Sequence, residues 1–119
     1  SVAGYRGLPG AEAYCASKAA AISYLESLRV RLAASRIRVL TVSPGYIDTP
    51  LTRGNPYPMP FLLDADAAAE KIARAIDRRS SYSVVPWQMA IVARLLRIVP
   101  NWLFDRALAR APQKPRLRS

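Results

Sequence analysis

The sequence predicts an α/β fold with a parallel sheet, and three observations lead to this prediction. Helical and extended patterns alternate along the 119 residues in the order helix, strand, loop, helix, strand, helix. This alternation is typical of parallel strands that are connected by helices. The extended runs are rich in apolar residues, which suits strands covered on both faces. Hydrophobic residues make up 51% of the chain and argue against a disordered protein.

A single domain over residues 1–119 is the expected organisation, because a chain of this length has room for one modest core. Only two complete strands are predicted, however, and the chain opens on a loop without the strand that should precede it. Parallel sheets need several partners, so we expect the sequence to be part of a domain about twice as long.

Residues 1–10 contain three glycines and a proline and predict an irregular segment. A helix is predicted over residues 12–34, where proline and glycine are absent and apolar residues recur at helical spacing. Its many alanines suggest a helix buried against other helices. The single cysteine, Cys15, excludes an internal disulfide and is expected to be a small buried hydrophobe.

Residues 37–42 predict a strand that ends at Pro44 and Gly45. The connection over residues 46–63 is long and rich in proline, and such loops are more often functional than merely connecting. The next helix begins at Asp64 or Asp66, either of which can cap it, and ends near Arg79. Its predicted apolar face consists of Ala69, Ile72, Ala73 and Ile76.

Residues 82–85 predict a second strand. Residues 87–99 and 102–110 then predict two helices that are separated by Pro100, with Asn101 capping the second. No apolar stretch is long enough to span a membrane, and the first residues do not resemble a secretory signal. These observations, together with the lone cysteine, favour a cytoplasmic location.

Basic residues outnumber acidic ones by 18 to 8, which gives a formal net charge of +10. The preferred explanation is solvated helix faces and a solvated tail, because no nucleic-acid-binding motif accompanies the charge. An anionic partner such as a lipid surface is the alternative, and no nucleic-acid partner is expected. The C-terminal basic cluster consists of Arg106, Arg110, Lys114, Arg116 and Arg118.

Tyr14 and Lys18 lie four residues apart on the first predicted helix, so their side chains project from the same face. A phenol is a poor base at neutral pH, but a nearby ammonium favours its ionised form. The pair is therefore a plausible device for proton transfer. The spacing alone is a weak signal, since such pairs also arise by chance on exposed helix faces.

Four segments raise the significance of this pair: Ser-Val-Ala-Gly at 1–4, Pro-Gly at 9–10, Tyr-Cys-Ala-Ser-Lys at 14–18, and Ser-Pro-Gly-Tyr-Ile-Asp-Thr at 43–49. In order and spacing they resemble the second half of the short-chain dehydrogenases/reductases. Ser1 stands thirteen residues before Tyr14, as the family pattern requires. The resemblance implies the C-terminal, catalytic half of a partial Rossmann-like, doubly wound parallel sheet.

The resemblance also implies roles for individual residues. Tyr14 would be the general acid/base, Lys18 would ease its deprotonation and hold the nicotinamide ribose, and Ser1 would bind the substrate oxygen. Pro44, Gly45, Ile47 and Thr49 would contact the cofactor, NAD or NADP, together with Tyr14 and Lys18. For Pro44-Gly45 a simple turn is the alternative. No metal site is predicted.

The function implied is hydride transfer between a nicotinamide cofactor and an alcohol or carbonyl substrate. The glycine-rich turn that seats the cofactor pyrophosphate is absent, as is the residue that separates NAD from NADP. The alternative is therefore a non-catalytic fragment whose apolar, basic C-terminal helices bind a membrane surface or a protein. The family also implies a homo-oligomer paired through the helix that carries Tyr14.

Two apolar regions leave alternatives open. The loop residues Tyr57, Met59, Phe61, Leu62 and Leu63 suggest contact with a hydrophobic alcohol or ketone, and core packing is an equally good interpretation. The C-terminal helices combine tryptophans and aliphatic residues with interleaved arginines, a composition that suits peripheral membrane contact. A buried terminal helix or a subunit interface explains the same composition.

Overall fold

The computed structural model describes residues 1–54 and 58–109 and has the predicted α/β architecture. Tyr57 and the basic residues from Arg110 onward lie outside the described residues. The elements are a short 3-10 helix, η1 (Val2–Gly4), followed by α1 (Glu12–Arg31), β1 (Thr41–Pro44), β2 (Ile47–Asp48), β3 (Leu63–Asp64), α2 (Ala65–Asp77), β4 (Tyr82–Val85), α3 (Trp87–Ile98) and α4 (Asn101–Leu108).

The parallel sheet is formed by β1 and β4, which α2 connects. Thr41 is paired with Tyr82 at one end of the ladder and Pro44 with Val85 at the other. A second, shorter parallel pair joins β2 to β3. The prediction of parallel strands connected by a helix is confirmed, and the carboxyl ends of β1 and β4 lie side by side.

The predicted bounds of the first strand are wrong. Residues 37–42 were expected to form it, but β1 begins at Thr41 and continues to Pro44. The reason lies in the partner strand, since β4 begins only at Tyr82 and offers no ladder partner to residues before Thr41. Ile37 is accordingly 59% exposed. Apolar, β-branched composition does not make a strand where no neighbouring strand is present.

Helix α1 is shorter and less buried than predicted. It ends at Arg31 because the amides of Ala33 and Ser35 bond to carbonyls three residues earlier, which tightens the chain into turns. Only Cys15 is fully buried, as expected for this residue. The helix packs mainly against η1 and β1 rather than against other helices, and much of its outer surface, including Tyr24 and Val30, is exposed.

Helix α2 buries a different face from the one predicted. Ala68 and Ala75 are buried and Ile72 is half-buried, whereas Ile76 is 61% exposed. Alanines seven residues apart let the helix backbone approach the strands closely, which explains why small residues rather than isoleucine face the core. Asp64 occupies the predicted N-cap position, although its carboxylate makes no capping hydrogen bond.

The last two helices begin close to the predicted positions, and α3 packs against the sheet. Met89 and Ala93 on α3 are buried, and α3 contacts β4. Asn101 is the first residue of α4 rather than its cap, and its side-chain oxygen accepts a hydrogen bond from Arg6. In the described part of the chain no helix is both long and apolar enough to cross a membrane.

Candidate functional site

Helix geometry brings the Tyr14 and Lys18 side chains together. The Lys18 ammonium nitrogen lies 5.3 Å from the centroid of the Tyr14 ring, within the range of a cation–π contact. Tyr14 is 51% exposed and Lys18 is half-buried, so a small molecule can reach the Tyr14 side chain. The arrangement places a positive charge over the ring of a tyrosine whose hydroxyl can exchange a proton.

Ser1 lies next to Lys18, at the start of the segment that leads into η1. Ser1 is half-buried, and its backbone nitrogen is close enough to Lys18 to experience the charge of the ammonium. The Ser1 hydroxyl oxygen accepts a hydrogen bond of 3.2 Å from the amide of Ala3. Its own proton remains available to a further acceptor, because a hydroxyl both donates and accepts.

Gly4 allows the N-terminal segment to rest on α1 at the turn that carries Lys18. A Cβ atom at this position would lie 2.5 Å from Cδ1 of Ile22 and 3.1 Å from the carbonyl carbon and oxygen of Lys18. The absence of a side chain therefore sets how closely Ser1 approaches Lys18. The sequence placed Gly4 in a loop but gave no indication of this contact.

Pro44 and Gly45 lie at the carboxyl end of β1, where open α/β sheets place their ligands. The Gly45 amide donates a 2.7 Å hydrogen bond to the carbonyl of Val85. A Cβ atom on Gly45 would lie 2.8 Å from Cγ of Met89, so packing against α3 by itself requires glycine here. Contact of Pro44 and Gly45 with a cofactor stays a prediction.

A hydrogen-bonded turn holds Ile47 and Thr49 beside the end of β1. The Thr52 hydroxyl donates to the carbonyl of Ile47 at 2.6 Å and accepts from the amide of Thr49 at 3.0 Å. The Thr49 hydroxyl lies 3.4 Å from the same oxygen. Thr52 thus orients both predicted contact residues, a role that sequence reasoning missed.

A buried hydroxyl network links the N-terminal segment to the sheet. The Ser43 side chain is fully buried, and its oxygen lies 3.0 Å from the Tyr5 hydroxyl and 3.1 Å from the Tyr82 hydroxyl. The two tyrosine rings meet edge to face, with centroids 6.4 Å apart. No sequence pattern indicated this network, because Ser43 lies just beyond the predicted strand and its partners are distant in the chain.

Arg6 connects the N-terminal segment to the two C-terminal helices, α3 and α4. Its guanidinium donates to the carbonyls of Leu96 and Val99 and to the side-chain oxygen of Asn101. The guanidinium carbon also lies 3.9 Å from the centroid of the Phe104 ring. These contacts satisfy carbonyls at the end of α3 that the helix itself leaves unpaired. No sequence pattern indicated them.

The loop predicted to cover the substrate is partly exposed. Leu63 pairs with Ile47 in the short β2–β3 ladder, and Phe61 and Leu62 are 49% and 45% exposed. In the described chain Phe61 and Leu62 are therefore not packed in a core, and contact with a substrate stays a prediction. Two open clefts of about 500 Å³ flank α1, but Tyr14 and Lys18 line neither of them.

Comparisons with known proteins agree with the resemblance seen in the sequence. Residues 1–57 match the family model described as short chain dehydrogenase. An uncharacterized oxidoreductase of Myxococcus xanthus is 43% identical over 110 residues, which cover 92% of this chain and 44% of that protein. An uncharacterized oxidoreductase of Mycobacterium tuberculosis is 37% identical over 108 residues, covering 89% of this chain and 42% of that protein.

A human protein, short-chain dehydrogenase/reductase 3, is 30% identical over 105 residues, or 85% of this chain and 35% of that protein. The chain thus spans less than half the length of these relatives. No solved structure matches it significantly. The family-model match, the named relatives and the parallel α/β architecture show that the chain belongs to the short-chain dehydrogenase/reductase family.

Proposed function

We propose that this chain supplies the catalytic half of an NAD(P)-dependent oxidoreductase that transfers a hydride between the cofactor and an alcohol or carbonyl substrate. The observation that carries the proposal is the Lys18 ammonium, 5.3 Å from the ring of the half-exposed Tyr14. Relatives named as oxidoreductases and as a short-chain dehydrogenase/reductase support the same class of reaction.

In this proposal Tyr14 moves the proton. Its hydroxyl gives a proton to the substrate oxygen during reduction and takes it back during oxidation. The Lys18 ammonium stabilises the negative charge that develops on the phenol oxygen. Ser1 donates its hydroxyl proton to the substrate oxygen in a hydrogen bond, which fixes the position of that oxygen relative to Tyr14.

The residues present fit the nicotinamide end of the cofactor. The Lys18 ammonium, which lies 5.3 Å from the centroid of the Tyr14 ring, carries protons that can be donated to ribose hydroxyls. Thr49, oriented by Thr52, and the backbone after Gly45 would hold the carboxamide side. When bound, the nicotinamide supplies or accepts the hydride. The sequence contains no glycine-rich turn for the pyrophosphate.

For the substrate we propose a hydrophobic alcohol or ketone. Phe61 and Leu62 are about half exposed, and the β2–β3 ladder ties this part of the loop to Ile47 beside the proposed cofactor contacts. Exposed aromatic and aliphatic side chains at this position suit an apolar substrate. Replacing Phe61 with serine should then raise KM for long-chain more than for short-chain ketones.

The test measures hydride transfer at the nicotinamide absorbance, with the full-length gene product and a panel of alcohols and ketones. Tyr14→Phe should lower kcat/KM by about 100-fold to 10,000-fold, the range of general acid/base catalysis. The control is Tyr24→Phe, which removes a hydroxyl from a tyrosine on the same helix that is 66% exposed. Equal activity in the two variants would contradict the catalytic assignment.

A homo-oligomer paired through α1 is proposed as well. The outer surface of α1 is largely exposed and carries Tyr24 and Val30 among alanines, so a second copy could pack closely against it. Light scattering of the full-length protein should give a mass that is a multiple of the monomer. Glutamate at Ala16 and Ala20 should reduce that mass, and an unchanged mass would place the interface elsewhere.

A further inference from the structure

The outer face of α3 carries large apolar side chains that nothing else in the described chain buries, and Trp102 near the start of α4 is exposed as well. We call these residues the apolar stripe. The stripe consists of Trp87, Ile91, Leu95, Ile98 and Trp102, which are 63%, 51%, 51%, 74% and 66% exposed. Positions 87, 91, 95 and 98 follow the spacing of one helix face. Several large apolar side chains that are exposed along one helix face indicate an interaction site.

The stripe points away from the sheet. On the opposite side of α3, Met89 and Ala93 are buried, and Met89 packs against Gly45 at the end of β1. Further strands of a parallel sheet would join along the edges of β1 or β4 and extend the sheet sideways. Such strands would not by themselves cover the outer surface of α3.

The charges beside the stripe are mainly basic. Arg94 and Arg97 are exposed along α3, and this helix contains no acidic residue. On α4, Arg106 and Asp105 are both exposed, so this helix adds no net charge. In the sequence beyond α4 the charged side chains are all basic, within a chain of net charge +10. An occupant of this face should therefore be apolar in its interior and anionic at its surface.

We propose that this stripe lies in the interfacial region of an anionic lipid membrane, with α3 parallel to the surface. Trp87 and Trp102 stand at the two ends of the stripe, and tryptophan favours the headgroup region. Arginines beside an apolar helix face complement anionic headgroups. Symmetric pairing of α3 with a second copy would instead bring Arg94 and Arg97 near their own counterparts, with no acidic residue in α3 to neutralise them.

The two tryptophans of the sequence both belong to the stripe, so intrinsic fluorescence reports on this face directly. The 119-residue chain is titrated with phosphatidylcholine vesicles that contain or lack phosphatidylglycerol. Its helix content is first verified by circular dichroism. We expect a blue shift of the emission with the anionic vesicles, weakened by added salt. Brominated acyl chains should quench that emission, because the indoles would contact lipid.

Two matched pairs of variants test the stripe and its charges. Ile91→Gln with Leu95→Gln should lower vesicle partitioning at least about tenfold, whereas Val30→Gln with Ile37→Gln, at 63% and 59% exposed positions elsewhere, should change it little. Arg94→Gln should weaken binding to anionic vesicles about fivefold. Arg78→Gln removes the same charge from the end of α2 and should have a smaller effect.

Each contrary result overturns the proposal. A blue shift that grows with protein concentration in the absence of lipid would show a second copy on this face. Vesicle binding without quenching by brominated lipid, or equal losses in the matched variants, would place the contact elsewhere. The wild-type quenching does not depend on how any variant folds. None of these measurements depends on hydride transfer, so failure of membrane binding would not contradict the proposed oxidoreductase function, and loss of that function would not contradict membrane binding.

Discussion

Replacing Gly4 with alanine tests how the N-terminal segment is held against α1. The added Cβ would lie 2.5 Å from Cδ1 of Ile22 and 3.1 Å from the carbonyl group of Lys18. The end of the isoleucine side chain can rotate away, but the Lys18 carbonyl is part of the helix backbone and cannot. We therefore expect η1 to move outward and Ser1 to separate from Lys18.

The magnitude follows from two opposing effects. Overfilling a packed contact typically costs about 1–3 kcal/mol of unfolding free energy. The backbone at Gly4 is not in the left-handed region, so alanine also restricts the unfolded chain and returns about 0.4–1 kcal/mol. The net expectation is a loss of about 1–2 kcal/mol.

Urea unfolding followed by circular dichroism measures this loss, and the chain offers a matched control. A Cβ on Gly7 would meet no atom within 4 Å, so Gly7→Ala should be neutral or slightly stabilising. Ile22→Val removes the Cδ1 atom. In a protein that carries this substitution, Gly4→Ala should therefore lower the unfolding free energy measurably less than in the wild type. Two results would refute this reasoning. The first is a Gly4→Ala protein that is as stable as the Gly7→Ala protein, and the second is a stability loss from Gly4→Ala that is the same with and without Ile22→Val.

Three further substitutions have defined outcomes in the same unfolding assay. Ser43→Ala should cost about 1–2 kcal/mol because it leaves two tyrosine hydroxyls without their shared partner; a loss no larger than that of the exposed Ser27→Ala would contradict this. Thr52→Val should cost about 1 kcal/mol by removing the hydroxyl that bonds two backbone groups of the turn, and an unchanged midpoint would argue against that role. Arg53→Gln should change stability by less than about 0.5 kcal/mol, because its salt bridge to a carboxylate joins side chains that are 67% and 42% exposed; a larger loss would mean that the ion pair is more than a surface contact.

The sequence by itself determined the features that depend on local geometry. Helical spacing placed Tyr14 and Lys18 on one face of α1, and the structure brings their side chains together. Pro44 and Gly45 marked the end of β1, and residues 82–85 gave the bounds of β4. These features follow from contacts between residues a few positions apart, which periodicity and turn chemistry encode directly.

Only the tertiary structure decided the rest. The start of β1 is set by the ladder with β4, and the buried face of α2 is set by how closely alanine lets it approach the strands. The Tyr5–Ser43 hydrogen bond joins residues 38 positions apart, and the Arg6 contacts reach across 90 positions or more. Local propensity carries no information about such pairings, because they form only when packing has brought distant segments together.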